Sequence, residues 1–212
     1  MRSQVTIRGA YDDAPQEEAV HGNHAMTIPG TVRLAAIGYQ SGFKIDDLLR
    51  RVTGRLRADQ VRLGGTLQEN TGGGAGLCSA MTLVDLASQC RVKISQDLGL
   101  QSEGCRLDAQ GLSEIAALLD RTFDQQIELL VLNRFGTAEA EGSGLRSAFV
   151  RAIDAGIPIL TAVRPPYIEA WVEFHGGLAV NLPPDLNRVL TWCSNAVREL
   201  RAARQSVLSP TT

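Results

Sequence analysis

Two continuous apolar runs constrain this chain more than any other feature. IELLVLN (127–133) and IPILTAV (157–163) are apolar at nearly every position. A strand with one wet face alternates apolar and polar residues, whereas a strand buried on both faces reads as an unbroken run. TVRLAAIG (31–38) has the same character and ends in a glycine. Helical patterns lie between and around these runs. KIDDLLRRVTGRLRA sets Ile45, Leu48, Leu49 and Val52 on one face, and AQGLSEIAALLDRTFDQQ does the same with Leu112, Ile115, Leu118, Leu119 and Phe123. LRSAFVRAIDAG is a third helix, closed by Gly156, and DLNRVLTWCSNAVRELRAARQ is the last.

The remaining segments complete the order. VRLGGTLQ predicts a second strand, followed by a glycine-rich loop, ENTGGGAG. AMTLVDL and CRVKISQ alternate across a short polar link and predict an antiparallel hairpin. PPYIEAWVEFHGG opens with prolines suited to a helix start, and LAVNL reads as an edge strand. Trp171 and Phe174, three apart on that helix, belong in a core. Strands alternating with helices predict an α/β fold: a mostly parallel sheet with helices on both faces and an inserted antiparallel hairpin. Residues 1–30 are polar and aperiodic and read as a mobile N-terminal extension. Residues 31–205 form a single domain, and 206–212 a frayed tail.

Composition narrows the function classes. The chain is 44% hydrophobic and 21% charged, which is ordinary for a soluble globular protein. A net charge of -2 gives no basis for expecting nucleic acid or an anionic membrane as partner. No apolar run approaches the roughly 20 residues that span a bilayer, and the N-terminus lacks an apolar signal core, so a cytoplasmic location is expected. Cys78, Cys90, Cys105 and Cys193 show no CxxC spacing, which argues for reduced thiols over a zinc site or a disulfide framework. His21 and His24 have no third ligand nearby and read as surface histidines.

In an open parallel sheet, ligands bind beyond the carboxyl ends of the strands. The first such edge carries GYQSGFKI (38–45). A working phosphate loop reads GxxxxGK followed by Ser or Thr; its amides hold phosphate, its lysine meets the outer phosphates, and its hydroxyl binds magnesium. Gly38 and Lys44 have that spacing, but Phe43 takes the second glycine position and Ile45 the hydroxyl position. The strand expected to end in a magnesium-binding aspartate ends in Asn133 and Arg134, a pair better suited to an anion than to a hydrated dication. Next, Ser143, Gly144 and Arg146 offer amides and a guanidinium at a helix start, with Ser143 alternatively a simple cap and Glu139 and Glu141 open to pairing with arginines. Arg164 follows another central strand, aimed by Pro165 and Pro166. Cys105 and Arg106 sit together before Asp108, which caps the following helix; an arginine there lowers the thiol pKa. His175 reads as a surface or capping histidine.

The stretch Arg62 to Gly177 resembles the small P-loop nucleoside triphosphatases first described from thermophiles, through RLGGTLQ, TLVDL and LLVLNRFGTAEAEGSGLRSAF. That resemblance implies a P-loop NTPase-like fold. It also implies an acidic pair where this chain has Asn133 and Arg134, so the magnesium and phosphate motifs are degraded. A closer resemblance is to the bacterial domain of unknown function 2478, carried by GGTLQ, ISQDLG, GCRLD, NRFGTAEAEGSGLRSAF and IPILTAVRPPYIEAWVEFHGG. Genes of that family are often found near molybdate transport genes, which implies a role in molybdenum metabolism. No catalytic residue comes with it.

The expected function is therefore binding or handling of a small anionic ligand: molybdate, tungstate or a phosphorylated cofactor, with magnesium–nucleotide ranked behind them. Gly38, Lys44, Cys105, Arg106, Asn133, Arg134, Ser143, Gly144, Arg146 and Arg164 are the expected ligand-binding residues. Two alternatives stay open. One is a slow nucleoside triphosphatase using Lys44, with Asp46, Asp47, Asp85 or Glu139 replacing the lost magnesium ligands. The other is a non-catalytic interaction module, with a protein partner or a second copy of the chain bound.

Overall fold

A computed structural model describes residues 33–71, 80–95 and 108–208. Seven strands form one sheet: β1 (Leu34–Gly38), β2 (Leu63–Thr71), β3 (Ala80–Asp85), β4 (Arg91–Lys93), β5 (Leu129–Leu132), β6 (Ile159–Val163) and β7 (Ala179–Leu182). Their order across the sheet is β4-β3-β2-β5-β6-β1-β7. The helices are α1 (Ile45–Ala58), α2 (Ala109–Thr122), α3 (Thr137–Ala140), α4 (Arg146–Asp154), α5 (Ile168–His175) and α6 (Leu186–Leu208). The pairs β2–β5, β5–β6, β6–β1 and β1–β7 are parallel, and β3 and β4 add an antiparallel flank. The α/β fold with helices on both faces is as the periodicity predicted.

The buried runs explain the layering. Along β1 and β5 successive side chains enter opposite cores. Ala35, Ile37, Leu129 and Val131 pack with Leu49, Val52 and Val189 beneath α1 and α6. Leu34, Ala36, Leu130 and Leu132 pack on the other face with Ile115, Phe149 and Trp171 from α2, α4 and α5. Trp171 is a core residue, at 2% exposure, within an aromatic cluster that includes Phe135, Phe149 and Phe174.

β2 differs from its sequence reading. It runs on through Glu69, Asn70 and Thr71, residues read as loop, because Thr66 to Thr71 pair antiparallel with Asp85 to Ala80. Its glycine pair permits a close approach. Gly65 has φ +106°, and a Cβ there would collide with the Val131 carbonyl of β5. Gly156 adopts φ +64° just after α4, the helix-closing role expected of it.

Residues 1–30 and 72–76, read as an extension and part of a flexible loop, lie outside the described residues. No helix among the described residues is long and apolar enough to cross a membrane. Cys90 is exposed and Cys193 buried, both unbridged, while Cys78 lies outside the description.

Candidate functional site

The carboxyl ends of β1, β2, β5 and β6 border a cavity of about 340 Å³. Its walls come from the β1–α1 turn (Tyr39, Ser41, Gly42), from Thr66 and Gln68 of β2, and from the segment Asn133 to Glu139 after β5. Arg164 and Tyr167 close the side after β6, and Leu83, Ile94 and Leu112 add apolar surface.

The β1–α1 turn is closed on itself. Phe43 N donates to the Gln40 carbonyl at 3.1 Å and Ile45 N to the Phe43 carbonyl at 2.9 Å. A phosphate cradle aims such amides at the ligand. Gly42, at φ +87°, supplies the left-handed turn one residue before the second glycine of a phosphate loop, and Phe43 stays exposed. Ile45 is buried in the core under α1. Lys44 is exposed at the start of α1; its side chain makes no hydrogen bond or ion pair among the described residues and does not line the cavity. Gly38 borders a neighbouring, mostly apolar cavity of about 410 Å³ instead.

Asn133 and Arg134 do reach the cavity, but Asn133 Nδ2 and both terminal nitrogens of Arg134 are already engaged. Arg134 Nη2 donates to both carboxylate oxygens of Asp46, at 2.8 and 2.7 Å, and Nη1 donates to Gln68 Oε1 at 3.1 Å. Asn133 Nδ2 donates to Asp46 Oδ1 at 3.1 Å. Asp46 stands in the first turn of α1, so two elements distant in sequence meet through this pair. Arg134 Nε, Asn133 Oδ1 and Thr66 Oγ1 are buried and have no partner among the described residues. Native structures rarely leave such atoms unpaired without a bound molecule or a functional reason.

The loop after β5 departs furthest from its sequence reading. Glu139, 8% exposed, pairs with no arginine through its carboxylate among the described residues. Its Oε2 accepts from Gly136 N at 3.0 Å and its Oε1 from Leu145 N at 2.9 Å. Gly144, at φ +64°, lies against that carboxylate so closely that a Cβ would strike it. Ser143 is not the cap of α4, because Leu145 takes that position. Ser143 N and Oγ both donate to the Ala138 carbonyl, at 2.8 and 3.0 Å. The amides of Ser143 and Arg146 are thus occupied by the chain's own carbonyls, and that of Leu145 by the Glu139 carboxylate. Arg146 leaves the site: Nη1 donates to the Glu139 carbonyl at 3.1 Å, and the guanidinium stacks over Phe174, 4.7 Å from the ring centroid.

Arg164 is exposed beside Tyr167, with Nη2 3.4 Å from the phenol oxygen and the guanidinium 5.3 Å from the ring centroid. The Tyr167 hydroxyl also shares a 2.6 Å hydrogen bond with Thr137 Oγ1. That bond, and then the one from Arg164, hold the phenol pKa below the ordinary tyrosine value. Burial pushes the Tyr39 hydroxyl up instead, against the pull of Arg134 and Arg164 together. Among the described residues, Arg134 and Arg164 are the two expected basic residues that line this cavity together. Cys105 and Arg106 lie outside the described residues. Asp108 caps α2 as expected, accepting from Gly111 N at 3.2 Å. His175 is buried rather than on the surface, and its Nδ1 accepts from Gly177 N and Ala179 N at 3.0 and 3.3 Å.

Sequence reasoning missed Tyr39, Thr66, Gln68, Thr137 and Tyr167. Tyr39 and Thr137 could have been marked by position, since each falls just beyond a parallel strand. Nothing in their chemistry separated them from ordinary polar loop residues.

Most of the carboxylates considered as magnesium ligands have partners within the chain. Of the carboxylates considered as substitutes, Asp46 is bonded to Arg134, Asp47 to Arg50 at 2.6 Å, Asp85 through Oδ2 to the amide and hydroxyl of Ser88 with its buried Oδ1 unpartnered among the described residues, and Glu139 to backbone amides. Among the described residues, no three of His, Cys, Asp and Glu come together as a metal site.

Comparison with known proteins sets this geometry in a family. Residues 34–192 match the family described as Protein of unknown function (DUF2478). The chain belongs to that family. Its sequence is also 34% identical, over 173 residues, to a Molybdenum import ATP-binding protein ModC 2 of Bradyrhizobium diazoefficiens. The match takes in 82% of this chain but only 19% of that relative, so the chain spans about a fifth of its length. Two solved structures share the fold. A human cancer-related nucleoside triphosphatase in solution aligns at TM-score 0.56 and 17% identity, over 81% of this chain and 98% of its own. Crystalline THEP1 from the hyperthermophile Aquifex aeolicus aligns at TM-score 0.52 and 14% identity, over 76% and 95%. The DUF2478 chain therefore has a P-loop NTPase-like scaffold.

Proposed function

We propose that this DUF2478 protein binds a small oxyanion in the cavity at the carboxyl edge of its sheet, with molybdate and tungstate the first candidates, on an NTPase-like scaffold whose hydrolytic motifs are degraded. The observation that carries this reading is that Arg134 and Arg164 line one cavity with Tyr39 and Thr66, where Arg134 Nε and the Thr66 hydroxyl have no partner among the described residues. Donors fixed in a partly buried site favour an anion, because charge-assisted hydrogen bonds are stronger there than in water. The self-bonded β1–α1 turn and the committed carboxylates support the loss of magnesium-dependent hydrolysis. Molybdenum enters through the name of the B. diazoefficiens relative, which shares this segment.

A thermal-shift panel tests the proposal: molybdate, tungstate, sulfate and phosphate, then ATP and GTP with and without magnesium. A ligand at 100 times its Kd adds about 2.7 kcal/mol of stability. Stabilisation by molybdate or tungstate that is lost in Arg134→Gln and Arg164→Gln, but kept in Lys44→Ala, is the expected result. Magnesium-dependent stabilisation by nucleotide alone would overturn it.

One observation favours a slow nucleoside triphosphatase as the second reading: the Lys44 side chain, at the start of α1, has no partner among the described residues. Turnover abolished by Lys44→Ala would support that reading, and turnover unchanged by it would remove it.

A further inference from the structure

Two of the places where the sequence offers anion donors are engaged by a carboxylate of the same chain. Glu139 takes the Leu145 amide at the start of α4, deep in the loop, at 8% exposure. Asp46 takes Arg134 and Asn133, and here the seat is shallower: the Asp46 side chain keeps 20% of its exposure and that of Arg134 keeps 32%. Three hydrogen bonds from two residues of one loop end on a single carboxylate delivered from another element. An oxyanion entering the cavity beside Arg134 finds that charge already cancelled.

We infer that Asp46 is a resident counter-anion that competes with the ligand for Arg134 and so sets the affinity of the site. The inference rests on the oxyanion reading and names the residue that tunes it. Asp46 carries no part of the cavity wall, yet it holds the guanidinium whose Nε and neighbouring Asn133 Oδ1 are left unpartnered. A ligand that takes the guanidinium has to displace, or share it with, a carboxylate bonded at 2.7 and 2.8 Å. Removing the negative charge while keeping the side-chain shape frees the guanidinium for an exogenous anion. Carboxylate and oxyanion seek the same N–H geometry, which makes this a competition for one donor set rather than a distant electrostatic influence.

The test is calorimetric titration of sodium molybdate, with sodium sulfate as comparison, into wild type, Asp46→Asn, Asp46→Ser, Arg134→Gln and the Asp46→Asn/Arg134→Gln double variant. Both neutral replacements suit the first turn of a helix, and the serine variant guards against a packing fault peculiar to asparagine. Molybdate is expected to bind Asp46→Asn and Asp46→Ser at least about tenfold more tightly than wild type, a change of about 1.4 kcal/mol. The gain is expected to vanish when Arg134 is also replaced, because it runs through that guanidinium. Wild-type binding that is unchanged or weakened in both neutral variants would overturn the competition and leave the oxyanion reading standing. A gain that survives in the double variant would also overturn it, since removal of a remote negative charge would then suffice. Absence of binding by every protein would overturn both the competition and the oxyanion reading.

Discussion

Glu139→Ala should be the most damaging single change to the wall of the site, and its cost can be worked from the hydrogen bonds. The carboxylate accepts Gly136 N through Oε2 at 3.0 Å and Leu145 N through Oε1 at 2.9 Å, and the second of these bonds is fully buried. Hydrogen bonds to a charged group contribute roughly 1.5–3 kcal/mol each, and a buried donor left unpaired costs about 1–3 kcal/mol. Gly136 N is less buried and can recover a water, so the full sum does not apply; a loss of about 3 kcal/mol is expected. For a domain of this size that lowers Tm by roughly 6–12 °C, at about 2–4 °C per kcal/mol. Urea unfolding at neutral pH, followed by circular dichroism, measures it, with an unchanged m-value indicating that stability alone has moved. Glu139→Gln, which keeps one acceptor oxygen, should lose about half as much as the alanine variant. A loss under about 0.5 kcal/mol for Glu139→Ala, the level of an ordinary surface change, would refute the view that this carboxylate holds the loop together.

Two further predictions concern titratable groups outside the cavity. Glu128, 3% exposed, accepts from Arg201 at 2.8 and 2.9 Å and from Arg62 Nη2 and N at 3.1 and 3.0 Å, and these bonds, led by that from Arg201, hold its pKa below the ordinary carboxylate value. Its stabilisation is therefore full above the unfolded carboxylate pKa and lost as pH falls through the lowered folded value, so the stability gap between wild type and Glu128→Gln should be wide at pH 7 and close under acid, as read by urea unfolding across that range. His175 is pushed below the ordinary histidine value by burial, and its Nδ1 must stay unprotonated to accept two amides. Stability should then fall as pH drops below the unfolded histidine pKa, while His175→Asn should flatten that part of the profile; a histidine NMR titration showing a raised pKa would contradict the burial argument.

The layers of this fold were legible because its strands are buried on both faces, which gives unbroken runs such as Leu129–Leu132 and Ile159–Val163 that no surface element produces. The extension of β2 was hidden because its outer end is a polar flank: Glu69 pairs with Arg91 at 3.2 Å, and a charged residue beside asparagine and glycines reads as loop until its cross-strand partner is known. α3 was hidden because Thr137–Ala140 is too short to show a period. The cavity itself was located correctly, beyond the carboxyl ends of β1, β5 and β6, since strand order fixes that edge whatever residues occupy it. Its lining was read poorly, because phenols and hydroxyls such as Tyr39, Thr66 and Tyr167 gain meaning only from what they face.

The charged residues were overcounted for a related reason. Spacing along the chain shows where cations lie but not which anions the fold brings to them, and the partners here come from 88 and 7 residues away: Asp46 for Arg134 and the Glu139 carbonyl for Arg146. Lys44 is the reverse case, a cation whose side chain has no partner among the described residues and which the fold leaves outside the cavity. A cation contributes to anion binding in proportion to the charge left after its internal partner is subtracted, and to how far water is kept away. By that measure Arg164, exposed and bonded only to a phenol, supplies attraction at the mouth, while Arg134, partly buried and paired, supplies geometry further in. Replacing Arg164 should therefore slow association and weaken the salt dependence of binding, whereas replacing Arg134 should mainly speed dissociation, a division that stopped-flow measurements with molybdate at two ionic strengths can read directly.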